Sequence, residues 1–120
     1  MRIIFILLAV SMLAGCSKSD DVKGNTIRIV FDSYNYPATV IIRQSYEGGN
    51  FSTSSPEFTG IWEKELEYRK GDDLFLTLQV NDLNPKNISI KLFVDEVQRK
   101  LVVTSEIIQE QTYYTTQIVL

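Results

Sequence analysis

Between Thr26 and Leu120 the hydrophobic and polar positions alternate with a period of two. That period sends successive side chains to opposite faces of a sheet, so it predicts strands and not helices. Ile27, Ile29 and Phe31 alternate with Arg28, Val30 and Asp32 in a first strand. Asp32-Ser33-Tyr34-Asn35-Tyr36-Pro37 reads as a turn, since Pro37 has no amide hydrogen to give a ladder. A second strand runs from Ala38 to Tyr46. Glu47-Gly48-Gly49-Asn50 tolerates positive φ and closes a hairpin onto a short third strand, Phe51 to Ser54.

In the fourth strand, Gly60 to Tyr68, one face holds Trp62, Lys64, Leu66 and Tyr68 and the other Glu63, Glu65 and Glu67. Trp62 and Leu66 are expected inward, and Lys64 at an edge or with only its stem covered. Leu74, Leu76, Leu78 and Val80 form the cleanest alternation, the fifth strand. Ile88, Ile90, Leu92 and Val94 are the inward set of a sixth, and Asp95-Glu96 turns it into a seventh, Val97 to Thr104. Ser105 to Gln111 begins with an N-capping serine and reads as a helical turn or a capped loop. The last strand, Thr112 to Leu120, puts Tyr114, Thr116, Ile118 and Leu120 on one face. Tyr113 then falls on the other, so one of the two adjacent tyrosines is expected to be exposed.

Short strands with turn signals about every 8–12 residues predict an all-β domain, an Ig-like antiparallel β-sandwich of seven or eight strands. A closed barrel is the competing arrangement. Without residues 1–15 the chain is about 105 residues long, the size of one domain. Its only cysteine is Cys16, so the sandwich must hold together without an internal disulfide.

That cysteine ends Leu13-Ala14-Gly15-Cys16, which follows Arg2 and the apolar run Ile3 to Val10. A basic start, a short apolar segment and small residues before the cut are the parts of a secretory signal. The apolar run is too short to span a bilayer, which takes about 20 residues. The stretch resembles the lipobox of bacterial lipoproteins. The resemblance implies cleavage before Cys16 and lipid on its thiol and freed amine, anchoring the protein by several acyl chains. Residues 1–15 are then the signal peptide, 16–25 a flexible tether and 26–120 the β-sandwich domain. Ser17 after the cysteine is not an inner-membrane retention signal of the enteric kind. Lys18-Ser19-Asp20-Asp21 is similar to the surface-export signal of Bacteroidetes lipoproteins. The expected location is the outer membrane, surface-exposed or on its periplasmic face.

The formal charge is −3, and −4 once Arg2 leaves with the signal. This argues against a nucleic-acid partner, which needs a dense basic face. The absence of histidine removes Ser-His-Asp and Cys-His catalysis and histidine metal sites. Asp72-Asp73 and Asp95-Glu96 lack the alternating acids of a calcium loop and read as turn residues on a solvated rim. No cofactor, metal or catalytic residue is expected, and the protein is read as a non-enzyme. The candidate contact residues are the loop tyrosines Tyr34 and Tyr36, together with Tyr46, since exposed aromatics suit a protein partner or a stacked sugar.

One order of features carries a second resemblance. Trp62-Glu63-Lys64 is followed by Lys70-Gly71-Asp72, then Leu74-Phe75-Leu76-Thr77-Leu78, then Ile88-Ser89-Ile90-Lys91-Leu92-Phe93-Val94-Asp95 and a tight turn. Over Thr26 to Leu120 this is similar to the mycobacterial membrane protein small family, which implies a membrane-anchored β-sandwich. The chain lacks that family's cysteine pair in the domain, and Glu96 stands where it has glycine. The reading reached is a lipid-anchored, non-enzymatic cell-envelope protein whose domain binds a partner protein or surface component. The alternatives are a glycan-binding surface module and an accessory protein of an export pump.

Overall fold

The structure, a computed structural model, describes residues 25–120. The expected signal peptide, Cys16 and all of the expected tether but Asn25 lie outside the described residues. Nine strands follow in order: β1 Thr26–Asp32, β2 Ala38–Tyr46, β3 Gly49–Ser54, β4 Ile61–Glu67, β5 Asp73–Val80, β6 Ser89–Val94, β7 Val97–Arg99, β8 Thr104–Ile108 and β9 Gln111–Val119. They form two antiparallel sheets, β4-β1-β6-β7 and β3-β2-β5-β9-β8. This is the expected antiparallel β-sandwich, with open edges where a barrel would have none.

The alternating pattern explains the core. Ile27, Ile29 and Phe31 of β1 and Leu92 of β6 leave water from one sheet. Ala38, Val40 and Ile42 of β2 and Leu74, Leu76, Leu78 and Val80 of β5 do so from the other. β1 and β5 are interior strands paired on both sides, so their inward residues are covered along the whole strand. Trp62 and Leu66 of edge strand β4 pack against this core while remaining half-buried, and Lys64 lies between them on the same face. Trp62 joins the two layers at one end, with its ring 6.1 Å from Phe31 and 6.2 Å from Phe58. Tyr114 packs inward, and Tyr113, on the opposite face, is half-buried rather than exposed.

The strand count is nine, not seven or eight, and the error lies in one place. The expected strand from Val97 to Thr104 is only Val97–Arg99, and Ser105 to Gln111 is neither helical nor a loop. It is most of β8 plus a two-residue turn into β9. Gln109 and Glu110 both adopt positive φ, 52° and 66°, as a type I′ hairpin turn requires. Those residues seldom take that conformation, so nothing local announces the turn.

Two short polar segments tie neighbouring strands of the β4-β1-β6-β7 sheet together, one at each end. Ser33 is completely buried at the end of β1. Its hydroxyl accepts from the Gly60 amide at 3.1 Å and lies 3.3 Å from the Gly60 carbonyl, which also accepts from the Ser33 amide at 2.8 Å. Gly60 has φ +91°, a conformation strained for any residue with a Cβ. At the other end, Asp95 accepts from the Thr26 amide at 3.0 Å and from the Tyr68 hydroxyl at 2.8 Å. Arg28 bridges Glu63 and Glu96 on the outer face and lies 4.2 Å over the Phe93 ring. Such exposed pairs add little to stability.

Removing the Ser33 hydroxyl leaves the Gly60 amide without its acceptor. Ser33→Ala is expected to cost roughly 1–3 kcal/mol in urea unfolding, the penalty of an unsatisfied donor. Leu76→Ala, which opens a cavity between the sheets, is expected to cost about 2–5 kcal/mol in the same measurement.

Candidate functional site

The three candidate tyrosines do not form one surface. Tyr34 and Tyr36 sit on the β1–β2 turn, and Tyr46 ends β2. The eight residues of rise between Ala38 and Tyr46 put the two sites about 26 Å apart, at opposite ends of the sandwich. The chain enters at the Tyr46 end, where the Tyr68 amide donates to the Asn25 carbonyl at 3.0 Å.

At the far end Tyr34 has φ +59° and is 51% exposed. Its amide donates to Asp32 Oδ1 at 2.8 Å, which holds the turn open to solvent. Tyr36 turns the other way, packs on the core, and accepts from the Lys86 amide at 3.3 Å. The two rings lie 6.5 Å apart. Tyr34 is therefore free for contact, and Tyr36 supports it from below.

At the near end the sheets splay apart between β3 and β4, leaving a cleft of about 350 Å³. Tyr46 and Phe51 line one side, and Leu66 and Tyr68 the other, with Arg69 at the rim. Tyr46 is 37% exposed, and its ring lies over Gly49, where an added Cβ would meet it at 3.6 Å. The Arg69 guanidinium sits 5.8 Å from the Tyr46 ring centre.

The polar floor of this cleft was not foreseen. Asp72, expected on a solvated rim, is only 5% exposed, and Gln44 is 6% exposed. The reason is the tight turn before β5. Gly71 at φ +97° folds the chain so that Asp72 Oδ2 accepts from the Arg69 amide at 2.9 Å. The same oxygen accepts from Gln44 Nε2 at 2.9 Å, and Gln44 Nε2 also donates to the Glu67 carbonyl at 3.1 Å. Both groups facing that nitrogen are acceptors, which fixes the amide orientation. Only the position of Gln44 on the inward face of β2 could have signalled this, since a polar residue in a run of Ala38, Val40 and Ile42 breaks the apolar register.

Aromatic walls above a floor of carboxylate and amide oxygens can stack a flat or ring-shaped group and accept its hydrogen bonds. Among the described residues no three His, Cys, Asp or Glu side chains converge as metal ligands. Nor is any helix there long and apolar enough to cross a membrane. In comparisons with known proteins, no family model, curated protein or solved structure matches the chain.

The rim also carries a pH dependence. The hydrogen bond to the Asp95 carboxylate raises the Tyr68 phenol above its ordinary pKa, with burial adding to it. A phenol raised on folding contributes stability that is complete below its unfolded pKa, about 10, and is lost as pH rises through the folded value. Tyr68→Phe is therefore expected to flatten part of the alkaline loss of stability above about pH 10. The slope of stability against pH just below that range should not change. Urea titrations across both ranges read this directly.

Proposed function

We propose that the protein is a lipid-anchored component of the bacterial cell envelope that binds and does not catalyse. The carrying observation is Leu13-Ala14-Gly15-Cys16 after a short apolar run, ahead of an all-β domain. Lipid on Cys16 holds the domain at the outer membrane, on the surface or on the periplasmic face, and residues 16–25 give it reach. The partner is another envelope protein, met through Tyr34 at the far end or through the Tyr46 cleft. The open turn at Tyr34 supports the first contact. A glycan is the second reading, favoured by aromatic walls over the Gln44 and Asp72 floor, since sugar rings stack on aromatics and donate hydroxyl hydrogens.

Cys16→Ala is expected to move the protein out of the membrane fraction and abolish incorporation of labelled palmitate. A variant that stayed bound and labelled would refute the anchor. Protease shaving of intact cells then distinguishes the two membrane faces. For the contact, Tyr34→Ser and Tyr46→Ser are expected to weaken capture of an envelope partner at least tenfold, singly or together. Unchanged capture by the double variant removes both surfaces. Retention on a glycan array that Tyr46→Ser abolishes and Tyr34→Ser does not would favour the sugar reading.

A further inference from the structure

A sheet edge presents unpaired N–H and C=O groups, and proteins blunt such edges with charge, short length, proline or a bulge. Among the described residues the sandwich has four edges: β4 and β7 in one sheet, β3 and β8 in the other. β4 carries Glu63, Glu65 and Glu67 outward and Lys64 on its inward face. β7 is three residues long and ends in Arg99. β3 is a short polar strand with Asn50, Ser52 and Thr53. β8 is also short and begins Thr104-Ser105-Glu106, but apolar residues flank that polar centre on both sides, Val102 and Val103 before it and Ile107 and Ile108 after it. It is exposed along its whole length, with Ile107 at 59%, Val102 just before it at 78%, and Glu106 as its one charge.

The free groups on this edge follow from the hairpin. Ile108 and Gln111 flank the two-residue turn, so they make the closing hydrogen-bonded pair. Glu106 and Thr104, two and four residues away, direct their backbone groups toward β9 in the same way. Ser105 and Ile107 therefore point theirs off the sheet. The Val102 carbonyl accepts from Thr116 Oγ1 at 2.7 Å, which holds the approach to β8 alongside β9 and leaves Val103 facing outward as well.

We propose that this edge pairs antiparallel with the same edge of a second copy, about a two-fold axis through Ser105. In that register Ser105 faces Ser105, Val103 faces Ile107 of the other copy, Val102 faces Ile108, and Thr104 faces Glu106. Each apolar side chain meets an apolar one, and Glu106 meets a hydroxyl. The off-sheet groups of Val103, Ser105 and Ile107 meet one another as hydrogen-bonded pairs. Moving the axis one residue, to Glu106, sets two like charges opposite each other at about 4.5 Å between Cα atoms, which is unfavourable. The charge thus disfavours the neighbouring register, while the near-palindromic run Val102-Val103-Thr104-Ser105-Glu106-Ile107-Ile108 makes the edge complementary to itself about Ser105. The side chains of Val103 and Ser105 also line the open apolar cleft with Ile88, Ile90 and Tyr114. The two-fold axis turns the two chain starts to opposite ends of the pair. A ten-residue tether reaches at most about 35 Å, more than the strand length of about 26 Å. On the anchoring reading, both lipids therefore reach one membrane with the strands lying along its surface.

Cross-linking of the full chain in cells with a short bismaleimide tests this. Ser105→Cys is expected to give a dimer, and Glu65→Cys on edge β4 only the background of the unaltered chain, whose Cys16 both share. Val103→Cys and Ile107→Cys are expected to cross-link when co-expressed, at least tenfold more than either alone. Adding Ser105→Pro to that pair removes only an off-sheet N–H and should return the yield to background, whereas adding Glu106→Gln should not. Background yield from Ser105→Cys, equal yield from the single and mixed variants, or linkage to a different protein in place of a second copy would each overturn the proposal.

Discussion

Two sheets with no disulfide between them stay together because their facing residues are drier together than apart. Phe31, Ile29 and Leu92 on one side and Val40, Leu76 and Leu78 on the other are completely or almost completely removed from water. Burial of that kind is worth about 1.5–3 kcal/mol per large side chain, and the ordering of the strands opposes it with a cost of similar size. A domain of this length therefore has no stability to spare. This explains why the polar groups inside it are all spoken for. Ser33 and Asp72 would each be a liability without a partner, and each has backbone partners at hydrogen-bond distance.

The same constraint places the binding surfaces. Interior strands β1 and β5 bury their whole inward face, so they have nothing left to offer on that side. What remains is the two ends and the edges, where one sheet outruns the other. The five-stranded sheet is wider than its partner, and both clefts with apolar lining, at Tyr46 and at Ile88, open where the sheets part.

Legibility in the sequence followed the same division. β5 could be read from Leu74, Leu76, Leu78 and Val80 alone, because an interior strand under a full core admits no polar residue at those positions. β8 could not be. An edge strand with one face half covered tolerates Thr104-Ser105-Glu106, which has the composition of a helix start, and its turn uses Gln109 and Glu110 where glycine or asparagine would have marked it. The site was legible by residue type and not by place. Tyr46 does line a cleft and Tyr34 is exposed, but their separation depends on the direction of β2 between the sheets. Asp72 misled because a lysine-glycine-aspartate turn has the same composition on a rim as over a buried glutamine. Only the pairing of Gln44 with that turn, 28 residues away along the chain, separates the two cases.

The β8 edge sharpens the point about function. Selection against unwanted pairing acts on every edge of a secreted β-protein alike, since each can add a strand from a stranger. Here β4 has an inward lysine and three outward glutamates, which costs some core packing at Lys64. A chain that gives up packing to protect one edge has had the same opportunity at β8. It keeps Val102, Val103, Ile107 and Ile108 there instead. An exposed edge with apolar flanks and unfilled hydrogen bonds invites a partner, and the single charge at Glu106 disfavours the register that would set it against itself. The proposed lipid anchor would strengthen this argument. Confinement to a membrane raises the local concentration of copies, so an edge too small to hold a dimer in dilute solution suffices at the surface.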